Sequence, residues 1–210
     1  MPYLRKITDL ILGDCIRRID TIENNVYLTF DDGPNSFCTP RVLDLLKKYN
    51  SKATFFVIGK NIHKNKTVVN RIKNEGHSIG NHSPDHSISI FFKGKRALKN
   101  WIEDGDVQIL KYFGKPSIGF RPPVGIRTPE LRLVMKEKKE KPLMWQHRFY
   151  DTAVGFSNKA WMRKFHKIKG GDIILLHDTH KETEQFILNL EDFIKKLIEK
   201  DFNLVALPSF

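Results

Sequence analysis

A single-domain α/β protein, with parallel strands wrapped by helices into a closed or nearly closed barrel, is predicted by three features of this 210-residue chain. Short β-branched and aromatic runs alternate with longer stretches of helical periodicity through almost the whole sequence. Hydrophobic residues make up 40% of it, enough to bury a sizeable core. No Ser/Gly-rich linker, low-complexity tract or internal repeat interrupts the rhythm, and no apolar run approaches the roughly 18 to 20 residues of a membrane span.

The chain opens with Tyr3, Leu4, Ile7, Leu10, Ile11, Cys15, Ile16 and Ile19 at helical spacing, which predicts an N-terminal helical segment, residues 1–25, packed across a body formed by residues 26–210. Asp9 and Asp14 interrupt that run, so it lacks the apolar core and small-residue cleavage site of an export signal. The expected location is therefore cytoplasmic or membrane-peripheral. Arg5, Lys6, Arg17 and Arg18 make the same segment a candidate for peripheral contact with an anionic membrane.

Val26 to Phe30 is a buried strand that stops at Asp31-Asp32 and turns at Gly33-Pro34. Thr39-Pro40 then caps and opens a helix through Val42, Leu43, Leu45, Leu46 and Tyr49. A strand at Ala53 to Ile58, a helix from Asn61 to Asn74 closed by Gly76, and a strand at His77 to Gly80 follow. The alternation continues with a helix from about Lys95 to Phe113, an extended Ile118 to Arg121, a helix from Pro129 to Lys139 and a strand at Leu143 to His147. A helix around Lys159 to His166, a strand at Asp172 to His177, an amphipathic helix from Glu182 to Lys200 and a strand at Asn203 to Leu207 complete it. An open doubly wound sheet is the alternative, but no glycine-rich phosphate fingerprint follows the first strand.

A formal charge of +12 and a pI near 9.7 favour anionic partners. The positive charge is diffuse, its densest cluster at Lys136 to Lys141 alternates sign, and no glycine-aromatic motif of an RNA-binding sheet is present, so nucleic acid is not expected as a partner. Two cysteines, Cys15 and Cys38, make no disulfide framework and are expected as reduced thiols.

Chemistry concentrates where strands end. Asp31 and Asp32 are adjacent carboxylates at a strand's carboxyl edge, and neighbouring side chains there point different ways, so one can bind a metal while the other takes a proton. His82 and His86 lie four residues apart after the third strand and can face one point; with one carboxylate from the Asp pair they make a two-His, one-Asp site with positions left open for water and substrate. Arg121-Pro122-Pro123 holds a guanidinium on stiffened backbone, and Ile173 to Leu176 delivers His177 to a strand end.

In order and spacing these motifs resemble the polysaccharide deacetylases, the NodB-like carbohydrate esterase family 4. Thr29-Phe30-Asp31-Asp32-Gly33 looks like the family's first motif, His82-Ser83-Pro84-Asp85-His86 its second, Arg121-Pro122-Pro123 its third and Leu175-Leu176-His177-Asp178 its fifth. The resemblance implies a distorted (β/α)7 barrel and a metal-dependent hydrolase that removes N-acetyl groups from the amino sugars of a glycan. It further implies that Asp32, His82 and His86 bind a divalent ion of the zinc type, that Asp31 is the general base oriented by Arg121, and that His177 is the general acid. Val124 would help hold the oxyanion through its backbone, with Pro123 and Leu175 beside it on the substrate side.

The fourth motif departs from the family. Counted from Trp145, only its second acid survives, as Asp151, a candidate to orient His177, while Arg148 and Thr152 occupy the other two positions. Val124 replaces a common aromatic; Asp85 and Cys38 are near enough in sequence to be considered as extra ligands. The substrate expected is a glycan such as peptidoglycan or a chitin-like polymer. The alternatives are a deacetylase or deformylase of an undecaprenyl-phosphate-linked sugar at a membrane face, favoured by the basic charge, and an inactive carbohydrate-binding relative, prompted by the altered fourth motif.

Overall fold

The computed structural model describes residues 8–154 and 156–210. Its strands are β1 (Asn25–Asp31), β2 (Thr54–Val57), β3 (Ser78–Asn81), β4 (His147–Arg148), β5 (Ile173–His177) and β6 (Asn203–Leu204). They pair in parallel in the order β3-β2-β1-β5-β4, with β6 beside β1. Backbone hydrogen bonds carry this sheet round into a ring. Ile118 N–H donates to Ile79 O and Arg121 N–H to Asn81 O on the outer side of β3; Leu143 N–H then reaches Phe120 O, and Gln146 N–H reaches Ile173 O at β5. The result is a distorted (β/α)7 barrel in which the expected strand at 118–121 is an isolated bridge, Asn81 to Phe120, and the one at 143–147 forms a ladder only at its end.

Parallel strands need crossovers. These are supplied by α1 (Cys38–Lys48), α2 (Gly59–Lys64), α3 (Lys66–Asn74), α4 (Lys95–Phe113), α5 (Pro129–Lys138), α6 (Asp151–Val154), α7 (Asn158–Phe165) and α8 (Thr183–Ile198). Period-two alternation sorts the strand side chains. Val26, Leu28 and Phe30 of β1 face the helices with Phe55, Val57, Ile174 and Leu176. Tyr27, Phe56 and Ile173 face the barrel interior with Ile118, Leu143 and Leu207. Thr29 and Asp31 belong to the inward set, and in-register pairing sets Thr29 beside Leu175 and Asp31 beside His177 at the carboxyl edge.

Two expectations are corrected. The N-terminal segment is helical over 8–12, but not to Asp20: Gly13 takes a φ of +84°, and the chain then runs extended, with Ile16 bridged to Leu143 and Arg18 to Asp172. Residues 1–7 lie outside the described residues. Ile16 and Ile19 donate to Pro142 O and Gly171 O, while Met144 donates to Ile16 O. Backbone groups that need partners thus override the helical spacing of the side chains. The helix expected from Asn61 to Asn74 is two helices, α2 and α3, broken at Asn65 (φ −125°, ψ 42°), whose side chain donates to Pro34 O and Asn61 O.

The apolar stripe of α8, Phe186, Leu190, Phe193, Ile194 and Leu197, closes the main core. Phe193 is central to it, in edge or tilted ring contact with Phe149, Phe156, Trp161 and Phe165. Phe193→Ala should therefore destabilise the fold by about 3–5 kcal/mol, the range for emptying an aromatic core position. Urea unfolding measures it; a cost below about 1 kcal/mol would show that the helix does not seal the core.

Candidate active site

At the end of β1 the backbone of Asp32 turns into the left-handed region, φ 75°, a strained conformation for a residue with a side chain. The segment after β3 is held in a similar way. Ser83 (φ 82°) and His86 (φ 64°) are also left-handed; Ser83 N–H donates to Asn81 Oδ1, and His86 N–H to Ser83 Oγ. These turns bring Asp32 Oδ1 to 3.5 Å from His82 Nε2 and 3.4 Å from His86 Nε2. One ligand atom from each of the three residues lies within 4.8 Å of the others.

His82 Nδ1 is 2.8 Å from Arg121 O, which only accepts, so the ring proton sits there and the Nε2 lone pair faces the cluster. Burial, helped by the neighbouring His82, pushes the His86 imidazole below its ordinary value, which favours the neutral, ligating form. For Asp32 burial acts to raise the pKa, but the neighbouring imidazoles of His82, His177 and His86 outweigh it and hold the carboxyl below its ordinary value. Asp32 Oδ1 is buried and has no hydrogen-bond partner. A buried carboxylate oxygen without a proton donor, faced by two imidazoles, is the polar arrangement that a divalent cation completes, and the two-His, one-carboxylate set suits an ion of the zinc type.

The other expected ligands stand apart. Asp85 Oδ1 accepts from Trp101 Nε1 at 2.9 Å and from Ser87 N–H. Cys38 is fully buried in α1, its thiol pushed up to about 12 chiefly by burial, and neither residue belongs to the metal-competent group found among the described residues.

Asp31 points inward. Its Oδ1 accepts from Arg121 Nη1 at 2.7 Å, and its Oδ2 lies 3.8 Å from His82 Nε2. Arg121 is fully buried, stacked 3.8 Å above the Phe56 ring, and its remaining donors reach Thr29 Oγ1, Leu143 O and Met144 O. Across the strand ends, His177 Nδ1 is 3.0 Å from Asp151 Oδ1, and the His177 N–H donates to Asp151 Oδ2 at 2.8 Å. Burial opposes the imidazolium, but the Asp151 hydrogen bond and charge prevail and raise His177 to about 9. For Asp151 burial acts upward, and the hydrogen bonds from His177 and His180 overcome it, so it stays far below the carboxylate range.

Asp31, Asp32, His82, His86, Leu175, His177 and Val124 line one cavity of about 190 Å³. Val124 sits at its rim in a short 3-10 turn, left-handed (φ 52°) and 59% exposed, so its side chain offers no enclosed wall. Pro123 is buried behind it and does not line the cavity. Asp151 acts on the cavity only through His177. Asp178 turns away to accept from Thr39 Oγ1, and burial raises it to about 7; a Cβ at Gly33 would lie 2.4 Å from its carboxylate oxygens, which explains the glycine after the Asp pair.

Trp145, Arg148 and Thr152 also line the cavity, and His180 Nε2 bonds Asp151 from its second side at 3.0 Å. Sequence counting met Arg148 and Thr152 only as replacements in an altered motif. His180 was legible only as a histidine three residues beyond His177.

The polysaccharide deacetylase family model matches residues 18–141. The chain is 31% identical over 188 residues to a peptidoglycan-N-acetylglucosamine deacetylase of Bacillus cereus, covering 88% of this chain and 86% of that one. It is 33% identical over 192 residues to the peptidoglycan-N-acetylmuramic acid deacetylase PdaC of Bacillus subtilis, covering 90% of this chain but 39% of that longer one. A solved peptidoglycan N-acetylglucosamine deacetylase, in complex with a substituted N-oxidanyl-benzamide, superposes with a TM-score of 0.82 at 31% identity, covering 92% of this chain and 91% of that one. The chain belongs to the polysaccharide deacetylase family, the deacetylases of carbohydrate esterase family 4.

The Asp151 contact makes a pH prediction. His177 has its folded value above the ordinary 6.5, so the stabilisation it draws from Asp151 is fully present below about 6.5 and is lost as pH rises through about 9. In Asp151→Asn the NMR titration midpoint of His177 in metal-free protein should fall by more than about one unit. An unchanged midpoint would mean that Asp151 does not govern the imidazole.

Proposed function

We propose that this chain hydrolyses the N-acetyl group of an amino sugar in a glycan, with peptidoglycan the leading substrate. The carrying observation is the convergence of Asp32, His82 and His86 on one point, beside the Arg121-held Asp31 and across the cavity from the Asp151-held His177. Relatives whose names specify peptidoglycan deacetylation support the choice of substrate.

Asp32, His82 and His86 would hold the divalent ion, of the zinc type by its two-imidazole, one-carboxylate donor set. When bound, such an ion supplies Lewis acidity toward an amide carbonyl and toward water. The remaining work falls to the chain. Asp31 has one oxygen committed to Arg121, so its second oxygen is the one that takes a proton from the attacking water. With Nδ1 against Asp151, His177 directs Nε2 into the cavity and delivers its proton to the leaving amine. Leu175 forms the apolar wall beside it, and the Val124 backbone N–H, at the rim of the same cavity, serves as the donor to the acyl oxygen as charge develops there. A lone pair aimed at the ion and a proton kept for the leaving group follow from different neighbours: Arg121 O, which takes the Nδ1 proton of His82, and Asp151, which holds that of His177.

Metal-loaded protein should release acetate from N-acetylglucosamine oligomers or peptidoglycan, and lose that activity on chelation. Asp31→Asn and His177→Ala should each lower kcat by roughly 10²–10⁴-fold, the usual worth of a general base or acid. His86→Ala should lose stoichiometric metal on equilibrium dialysis. No acetate from any amino-sugar substrate, with metal bound in full, would overturn deacetylation and leave the deformylase and the inactive carbohydrate-binding alternatives.

A further inference from the structure

Arg148 is a charged residue of the cavity lining that hydrolysis does not use. It lines the same wall as Leu175, with which it pairs in register between β4 and β5, and that places it two residues along the sheet from His177. Two strand residues span roughly 6–7 Å, about the width of one sugar ring. Its guanidinium lies over two aromatic rings, 4.8 Å from the Tyr150 ring centroid and 5.9 Å from that of Trp145. Its carbonyl is tied down by Lys164 Nζ at 2.9 Å.

The charges around the cavity are otherwise answered. Asp31 answers Arg121, and Asp151 answers His177. Arg148 differs: among the described residues no carboxylate lies within 4 Å of it, and its Nε is buried without a hydrogen-bond partner. An oriented, partly desolvated cation with an unused donor is costly when left alone and favourable beside an anion. A planar guanidinium fork resting against aromatic rings is also suited to carboxylate or phosphate oxygens. A neutral N-acetylglucosamine ring brings nothing to match it.

We infer that the site is built for an amino sugar carrying an anionic group, carboxylate or phosphate, on the ring that bears the acetamide or on the ring next to it, and that Arg148 reads that group. This inference rests on the deacetylase function and narrows its substrate class. Arg148 is a specificity residue; proton transfer stays with Asp31 and His177.

The test compares three probes with metal-loaded wild type, Arg148→Gln and Arg148→Lys: a neutral N-acetylglucosamine disaccharide, the same sugar bearing a 3-O-carboxyethyl group, and N-acetylglucosamine 1-phosphate. The quantity read is the ratio of kcat/KM for each anionic probe to that for the neutral one. Wild type should favour an anionic probe by at least about tenfold, and Arg148→Gln should reduce that ratio by at least about tenfold, the scale of a lost charge-assisted contact. Arg148→Lys, which keeps the charge without the fork, should fall between them. Preference for the carboxyethyl or the phosphate probe identifies which anion the site takes. Titration calorimetry with the corresponding deacetylated sugars reads the same selectivity as binding. If no probe releases acetate, deacetylation is overturned while calorimetry still decides the anion preference. Equal ratios in wild type and both variants, with no selectivity in calorimetry, would overturn the inference.

Discussion

The Arg121 guanidinium lies inside the barrel with no exposed surface, and its donors reach Asp31 and Thr29 on β1 and the carbonyls of Leu143 and Met144 on a stave two positions round the ring. Its backbone N–H bonds Asn81 O at the end of β3, and its carbonyl accepts from His82 Nδ1. A buried charge is tolerable only when paired and fully hydrogen-bonded, and here those bonds join three parts of the barrel: β1, the stave at 143–144 and the end of β3. One side chain therefore sets the direction of Asp31, clamps the two weakest staves, and through its main chain orients an imidazole of the candidate metal site. The neighbouring Phe56 ring, stacked against the guanidinium, excludes the water that would otherwise compete for those donors.

Around that anchor the carboxyl edge divides into two poles with opposite requirements. The Asp32, His82 and His86 cluster needs lone pairs free of protons, and it obtains them because a carbonyl fixes the tautomer of His82 and burial disfavours the charged form of His86. The opposite pole needs a retained proton, and the buried Asp151 supplies the negative charge that keeps it on His177. Left-handed backbone at Asp32, Ser83, His86 and Val124 accompanies the first pole and the rim. Each such residue costs about 1–3 kcal/mol, which the packed barrel beneath can bear because its helices seal a continuous apolar core. Other left-handed residues, Asn50, Lys139 and Asp201 among them, lie away from the cavity.

At the opposite end of the barrel, main-chain groups of the strands find partners on two further segments. The extended stretch around Ile16 and Ile19 bonds one gap, and β6 fills another between β1 and Lys52, whose N–H donates to Leu204 O. Neither segment approaches the cavity. They close the ladder at the base, so that the top can be left open to a substrate.

What the linear chain determined by itself was the alternation of strands and helices and the placing of Asp31, Asp32, His82, Arg121 and His177 at strand ends. Those features depend on periodicity two against periodicity 3.6, on capping and turn residues, and on short motifs, all of which are local. Helical spacing at the start misled for the same reason: the pairing of Ile16 with Leu143 joins residues far apart in sequence, and no nearby residue announces it. Only the tertiary structure decided which carboxylate of the Asp pair turns toward the imidazoles, because that depends on a left-handed backbone at Asp32 and on a carbonyl delivered by Arg121. It also decided the surroundings of Arg148 and the second histidine on Asp151. Charge balance inside a cavity is a property of side chains that meet from β1, β4, β5 and their loops, and no single segment of the chain contains it.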